Sequence, residues 1–204
     1  DILKDMETNM FAKKYRMQKI LARKMGYAPP DPYASEIMGP DMIAAAKNKD
    51  HMYVPLEVKQ SKPYVLFYFD RSASFEPSSY PKKTKLGKDI QAMFHQFEAE
   101  GKIVCKTFYF GAIVTDNPKQ LYYGEYCEDF CGCNEPEALI ESIRTETAGR
   151  RANVVVLTDG DNANVVGSVK VNGNVWIVYA GAPDQNLIGH IIGTTSRHEY
   201  KVSL

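Results

Sequence analysis

The chain has 204 residues, which is enough for one full domain with an extension and short for two domains. Hydrophobic residues make up 44% and charged residues 25%, as in an ordinary globular protein, and no apolar run approaches the ~18 residues that a membrane-spanning helix needs. The formal net charge is +0, which argues against a nucleic-acid binder that relies on overall positive charge.

The first 60 residues are predicted to form a helical arm, distinct from a domain over 61–204. A helix over about 9–25 has apolar residues on overlapping turns and a basic polar face, made of Lys13, Lys14, Arg16, Lys19, Arg23 and Lys24. We interpret that face as solvated, with contact to nucleic acid or to a membrane as the alternative. A segment punctuated by Pro and Gly follows, so we expect an arm that packs on the main domain or on a partner.

From residue 61 onward, strand patterns alternate with helix patterns. Strands are predicted over 64–70, 103–110, 120–123, 153–158, 175–180 and 199–203, and helices over 82–100, 136–147 and 185–192. Strands separated by helices imply right-handed crossovers and a mainly parallel sheet. The predicted fold class is therefore α/β, a doubly wound, Rossmann-like sheet with helices on both faces.

The four cysteines favour a reducing compartment. Cys105 lies in a predicted strand, where a buried thiol is expected, whereas Cys127, Cys131 and Cys133 crowd into seven residues, unlike the dispersed spacing of a disulfide framework. A zinc site using these three is disfavoured because they lack a Cys-x-x-Cys pair and a nearby histidine. The sequence also does not open with a secretory pattern, so we expect a cytoplasmic location, or one within a virion or other intracellular assembly.

Two carboxylate-bearing turns follow two of the predicted strands. The segment 70–74 provides Asp70, Ser72 and Ser74 after the first strand, and Asp159 follows the strand 153–158. Each turn alone is ordinary, since Asp and Ser favour turns and helix caps. However, ligands bind beyond the carboxyl ends of parallel strands, and oxygen ligands suit Mg²⁺, Mn²⁺ or Ca²⁺. The joint placement predicts a divalent cation site at the sheet edge.

These motifs resemble a known family. Asp-x-Ser-x-Ser after one hydrophobic strand, followed by Leu-Thr-Asp-Gly after a later one, is similar to the von Willebrand factor A domain and its metal-ion-dependent adhesion site. The resemblance covers roughly 61–204 and includes the closing strand patterns over 175–181 and 197–202. It implies that Asp70, Ser72 and Ser74 reach a metal ion directly or through water, and that Asp159 does so through water.

One further position of the family pattern differs in this chain. The family has a threonine six residues ahead of a helical leucine, and with Leu139 as that leucine the threonine position falls on Cys133. A thiol is a poor ligand for Mg²⁺ or Ca²⁺. Asn134 or a water then substitutes, or the metal affinity is weakened, or the site is vestigial.

The resemblance implies a non-catalytic interaction module. A cation held by a few oxygens of low charge stays electrophilic and should take an Asp or Glu of a protein partner as a further ligand. Arg71 and Asp161, in the same two turns, are the candidates for contacts to that partner. Related intracellular domains act beside ATPases of the AAA type, in chelatase-like complexes or in ribonucleoprotein particles.

Two other interpretations remain open. The domain is alternatively a fixed structural component of a large assembly, such as a virion or ribonucleoprotein, with a degenerate metal site and residues 1–60 as a tether. A metal-dependent hydrolase is the second alternative. It is disfavoured because the sequence has no Gly-x-Ser-x-Gly elbow, Walker loop or His-Glu-x-x-His motif, and because a phosphoaspartate enzyme would need an acid where Ser72 stands.

Overall fold

The computed structural model describes residues 2–11, 62–117, 135–159, 167–181 and 190–204. The chain divides into two units, Asp1–Ser61 and Lys62–Leu204. Of the first unit, the structure describes helix α1 (residues 2–11), in which Met6, Met10 and Phe11 are buried. The rest of the predicted basic helix 9–25 and the predicted strand 120–123 lie outside the described residues.

A six-stranded sheet organises the second unit. Its strands are β1 (Tyr64–Asp70), β2 (Val104–Phe110), β3 (Val114–Thr115), β4 (Asn153–Thr158), β6 (Asn174–Ala180) and β8 (Ser196–Val202). They lie in the order β3-β2-β1-β4-β6-β8, and all neighbours are parallel except β2 and β3, which are antiparallel. The predicted α/β class with a mainly parallel, Rossmann-like sheet is confirmed.

Alternate residues of β1 contact opposite layers of the unit. Leu66 and Tyr68 belong to a core cluster with Leu139, Ile140 and Ile143 of helix α3 (Pro136–Thr147). On the other face, the ring centroid of Phe67 lies 5.8 Å from that of Phe94 in helix α2 (Pro81–Ala99). Strands buried on both faces are apolar at nearly every position, which explains the continuous hydrophobic runs of β1, β4 and β6.

Two short strands form a separate parallel pair that the sequence patterns did not predict. They are β5 (Val169–Val171) and β7 (Ile191–Gly193), which lead into β6 and β8 through two-residue turns. The helix predicted over 185–192 is wrong in its described part, because Ile191 pairs with Val169 as a strand residue and is fully buried. Residues 185–189 lie outside the described ranges.

Glycine permits the turn between β5 and β6. A Cβ atom added at Gly173 would lie 1.8 Å from the carbonyl oxygen of Ala152, far inside contact distance. The neighbouring Asn172 carbonyl accepts a hydrogen bond of 3.0 Å from the Ala152 amide, so the two backbones run in direct contact. This close approach aligns the start of β6 with the start of β4.

Candidate metal site

The candidate site lies where the strand order of the main sheet reverses. Connections from β1 lead outward to β2 on one side, whereas β4 and the strands after it lie on the other. The crevice at the carboxyl ends of two such strands is the usual binding position in doubly wound sheets. Asp70 ends β1 and Thr158 ends β4, and Phe69 pairs with Leu157, so the two strand ends lie level with each other.

Asp70 is at the centre of this crevice. Its side chain is fully buried, and its carboxylate accepts hydrogen bonds from two sides. The backbone N–H of Ser72 donates to Oδ1 at 2.8 Å, and the hydroxyl of Thr158 donates to Oδ2 at 2.9 Å. The second bond joins residues 88 positions apart and ties the first carboxylate turn directly to the end of β4.

The two serines follow Asp70 in a tight loop. A single 3₁₀ turn, Ala73–Phe75, curls the chain back, and the Phe75 amide donates to the Ser72 carbonyl at 2.9 Å. The Oγ atoms of Ser72 and Ser74 lie 2.9 Å apart and share a hydrogen bond. The predicted grouping of Asp70, Ser72 and Ser74 therefore exists as a cluster of carboxylate and hydroxyl oxygens at the sheet edge.

Asp159 adds a second carboxylate to the crevice. Burial and the neighbouring Asp159 charge raise the pKa of Asp70 to about 6, although the hydrogen bonds from Ser72 and Thr158 act in the opposite direction. Asp159 itself is buried with 7% exposure. Two acidic side chains thus lie near each other in a place with little solvent, where a positive charge between them is strongly favoured.

Lys83 provides a positive charge at the rim of the crevice. Its Nζ donates to Asp159 Oδ2 at 3.3 Å, and the two side chains are only 17% and 9% exposed. The ammonium also lies 4.8 Å from the ring centroid of Tyr80 and 5.5 Å from that of Phe75. The first turn of α2 therefore supplies the counter-ion of Asp159 in this structure.

Neither Lys83 nor Thr158 was among the residues predicted for the site. Thr158 lies in the Thr-Asp-Gly motif but had no assigned role. The sequence feature that could have identified Lys83 is its position in the first turn of a helix, where the helix dipole normally favours acidic residues. That turn has no acidic residue, which marks its lysines as unusual.

Arg71 is buried against two aromatic rings, and the remaining predicted residues lie outside the described ranges. The Arg71 side chain is 7% exposed, and its guanidinium lies 4.4 Å from the ring centroid of Phe69 and 4.9 Å from that of Tyr109. This stacking leaves little of Arg71 for a partner to contact, and its role in partner binding stays a prediction. Asp161, Cys133 and Asn134 lie outside the described residues, as do Cys127 and Cys131.

Cys105 is the cysteine that the structure describes. It lies in β2 as a free thiol, half-buried beside Glu98, and burial followed by the nearby carboxylate raises its pKa to about 12. A thiol with so high a pKa is almost entirely protonated at neutral pH and is a weak nucleophile. Cys105 therefore has the properties of a structural rather than a reactive cysteine.

The donor atoms of the site fit a hard divalent cation. The described residues contain no group of three or more His, Cys, Asp or Glu side chains able to hold a metal, so a cation here would depend on two carboxylates together with hydroxyl oxygens. All these donors are oxygens, the ligands that Mg²⁺ and Ca²⁺ prefer. A cation would also offset the two causes that raise the pKa of Asp70, which are its burial and the neighbouring Asp159 charge.

Comparison with known proteins adds no assignment. Neither a protein-family model nor a curated protein matches the chain. No helix in the described ranges is long and apolar enough to cross a membrane.

Proposed function

We propose that residues 62–204 form a non-catalytic interaction module that binds a protein partner through a divalent cation at the carboxyl ends of β1 and β4. Asp70, Ser72, Ser74 and Asp159 would hold the cation, and it would offer a positive centre to a partner's Asp or Glu. The resemblance to the von Willebrand factor A domain carries the same implication. Such a partner would be an ATPase of the AAA type or a component of a large assembly.

The observation that carries this proposal is the meeting of the two carboxylate turns. Thr158 donates to Asp70 across the strand-order reversal, and burial together with the nearby Asp159 charge raises the pKa of Asp70. Burying two neighbouring carboxylates is costly, and Lys83 offsets the charge of one of them, Asp159. A site that bears this cost is more readily explained by ligand binding than by packing.

The charge around the crevice favours an acidic partner. Helix α2 begins beside the site, and Lys82, Lys85 and Lys88 are exposed on its first half. Lys85 pairs with Asp89 at 2.7 Å, whereas Lys82 and Lys88 add exposed positive charge. A segment whose central Asp or Glu reaches the cation would meet these lysines beside it, which would speed its association at low salt.

Calorimetric titration with Mg²⁺, Mn²⁺ and Ca²⁺ tests the cation site. The wild-type protein is expected to bind at least one of them, with the affinity reduced by about tenfold or more in Asp70→Ala and Asp159→Asn. Asp89→Asn removes a half-exposed carboxylate of α2 and is the matched control, which should leave the affinity unchanged. Absence of binding heat in the wild type would overturn the cation-dependent part of the proposal.

A second candidate function is supported by Lys83. Because its ammonium already neutralises Asp159, the crevice can be stable without a metal. The domain would then be a fixed structural part of a large assembly with a degenerate site. Chelator treatment distinguishes the two functions, since it should release a partner held by a cation and leave a structural assembly intact.

The proposal places no catalytic group in the crevice. The described histidines make their contacts elsewhere: His198 stacks on Trp176 with ring centroids 5.8 Å apart, and His190 contacts the Gly167 carbonyl. His95 is exposed on α2. A reducing, cytoplasmic setting is part of the proposal and rests on the free thiol of Cys105.

A further inference from the structure

The ammonium of Lys83 engages an oxygen of Asp159 that a divalent cation in the crevice would need. Its Nζ is 3.3 Å from Asp159 Oδ2, in an ion pair whose side chains are both more than four-fifths buried. Asp159 is also one of the carboxylates proposed to hold a divalent ion. An oxygen engaged by an ammonium in a site of low solvent access is not freely available to a metal.

The fold holds this ammonium in place from several directions. The side chain extends from the first turn of α2, past the rings of Phe75 and Tyr80. At the end of β6, a Cβ atom built on Gly181 would meet Lys83 Cε at 3.8 Å, so the backbone there is in ordinary van der Waals reach of the lysine. Elements from three parts of the unit therefore surround Lys83, unlike a lysine on an open surface.

We propose that Lys83 is a tethered cation of the site, which neutralises Asp159 in the metal-free protein and must withdraw from that carboxylate when a divalent cation binds. This inference rests on the proposed function. It assigns Lys83 the role of setting how tightly and how selectively the crevice takes a metal. The ammonium competes with the divalent ion for one carboxylate, so it lowers metal affinity without being a ligand itself.

Replacing Lys83 by methionine tests the inference, since it removes the charge and keeps an unbranched side chain. In calorimetric titration, Lys83→Met should bind Mg²⁺ or Mn²⁺ about tenfold more tightly than the wild type. Lys83→Arg keeps a positive charge and should not tighten binding. Lys85→Met, which breaks the exposed pair with Asp89, is the matched control and should leave the affinity unchanged.

Chemical acetylation gives a second measurement that does not depend on substitution. Acetic anhydride followed by peptide mass spectrometry reports how accessible each lysine is. Adding Mg²⁺ should increase the acetylation of Lys83 several-fold and leave that of Lys85 unchanged. In Asp70→Ala the effect of Mg²⁺ on Lys83 should disappear.

The outcomes separate this inference from the function on which it rests. Tighter binding in Lys83→Met than in a wild type that itself binds metal supports the tethered cation, whereas binding confined to Lys83→Met overturns the cation-dependent function of the wild-type protein. Equal or weaker binding in Lys83→Met, with a wild type that binds metal, overturns the role of Lys83 and leaves the cation site standing. Absence of binding in both proteins overturns the cation site and the inference together.

Discussion

Asp70 is a carboxylic acid without exposure to solvent, placed beside a second carboxylate. Its folded-state pKa of about 6 lies above its ordinary value of 3.8. Between these two values the folded protein binds more protons than the unfolded chain does. The contribution of Asp70 to stability therefore falls as the pH rises from about 4 to about 6 and stays unfavourable above that range.

Replacing Asp70 by asparagine should thus stabilise the metal-free protein at neutral pH. The amide oxygen of the new side chain can still accept from the Ser72 N–H while the charge is gone, so the expected gain at pH 7.5 is roughly 1–3 kcal/mol. At pH 3.5 the gain should vanish because Asp70 is then protonated in the folded protein. Urea unfolding in the presence of chelator measures both values.

The control for Asp70→Asn is Asp89→Asn, which changes a carboxylate whose side chain is 45% exposed. It should alter stability little at either pH, since exposed ion pairs contribute little. A loss of stability in Asp70→Asn at pH 7.5 would mean that the Asp70 charge stabilises the metal-free fold. The electrostatic account of the crevice would then be wrong.

At the scale of elements, Gly87 allows α2 to approach β1 closely. A Cβ added there would lie 2.1 Å from Cζ of Phe69, whose ring is fully buried. Glycine inside a helix normally costs about 0.5–1 kcal/mol relative to alanine. Here the close helix–strand contact, just before Asp70, depends on the missing side chain.

Gly87→Ala is therefore expected to destabilise the protein by roughly 1–3 kcal/mol, although alanine is the better helix former. Phe69 cannot move away easily, because Phe67 and Phe75 lie against it with ring centroids at 5.8 and 6.2 Å. Thermal or urea unfolding measures the loss. Ala92→Gly, at an exposed position of the same helix, is the control and measures the difference in helix propensity between alanine and glycine alone. A Gly87→Ala variant that is more stable than the wild type would contradict the close approach of α2 to β1.

The charges of α2 also oppose its helix dipole. The first turn has no acidic residue, and the last turn has no basic residue. Lys82 and Lys83 lie at the end where the dipole is positive and negative charge is favoured. This local conflict is understandable if that end serves to attract an acidic partner, since proteins depart from such rules at functional sites.

Lys82→Glu should therefore stabilise the isolated protein by about 0.3–1 kcal/mol at low ionic strength. The same change at Lys88, beyond the first turn, is the control and should have a smaller effect. Binding of a synthetic peptide rich in Asp should weaken in Lys82→Glu, as measured by fluorescence anisotropy. If Lys82→Glu is less stable than Lys88→Glu, the helix dipole does not determine which charges are favoured at this end of α2.

Element patterns in the sequence were informative where they were long. The strands over 64–70 and 153–158 and the helix over 136–147 have the predicted bounds, because each is a continuous apolar run or an amphipathic period that starts at a clear punctuation such as Pro136. The strands β3, β5 and β7 have only two or three residues, too few to establish a period. They were missed for that reason.

At the scale of the whole molecule, the sequence predicted the edge of the sheet at which Asp70 and Asp159 lie. It did not predict which side chain neutralises the charge of Asp159. The alternation of strands and helices was enough to bring the two strand ends to one edge. The pairing of Lys83 with Asp159 joins residues 76 positions apart and depends on where α2 lies over the sheet. Side-chain contacts of this kind follow from tertiary packing and leave no local pattern.

The same topology predicts where the protein is most resistant to opening. β1 and β4 each pair with a strand on both sides, whereas β3 and β8 are the outermost strands of the six-stranded sheet. Amides of Val65–Phe69 and Val154–Leu157 should therefore exchange with solvent only through global unfolding, and those of β8 through smaller openings.

Hydrogen exchange followed by NMR measures this difference directly. The free energies of opening for β1 and β4 should equal the global free energy of unfolding, and those for β8 should be lower. Mg²⁺, if bound, should raise the values for β1 and β4 along with global stability, because both turns of the site extend from these strands. Equal protection in β8 and β1 would contradict the assignment of β8 as an outer strand and would mean that a further element covers it.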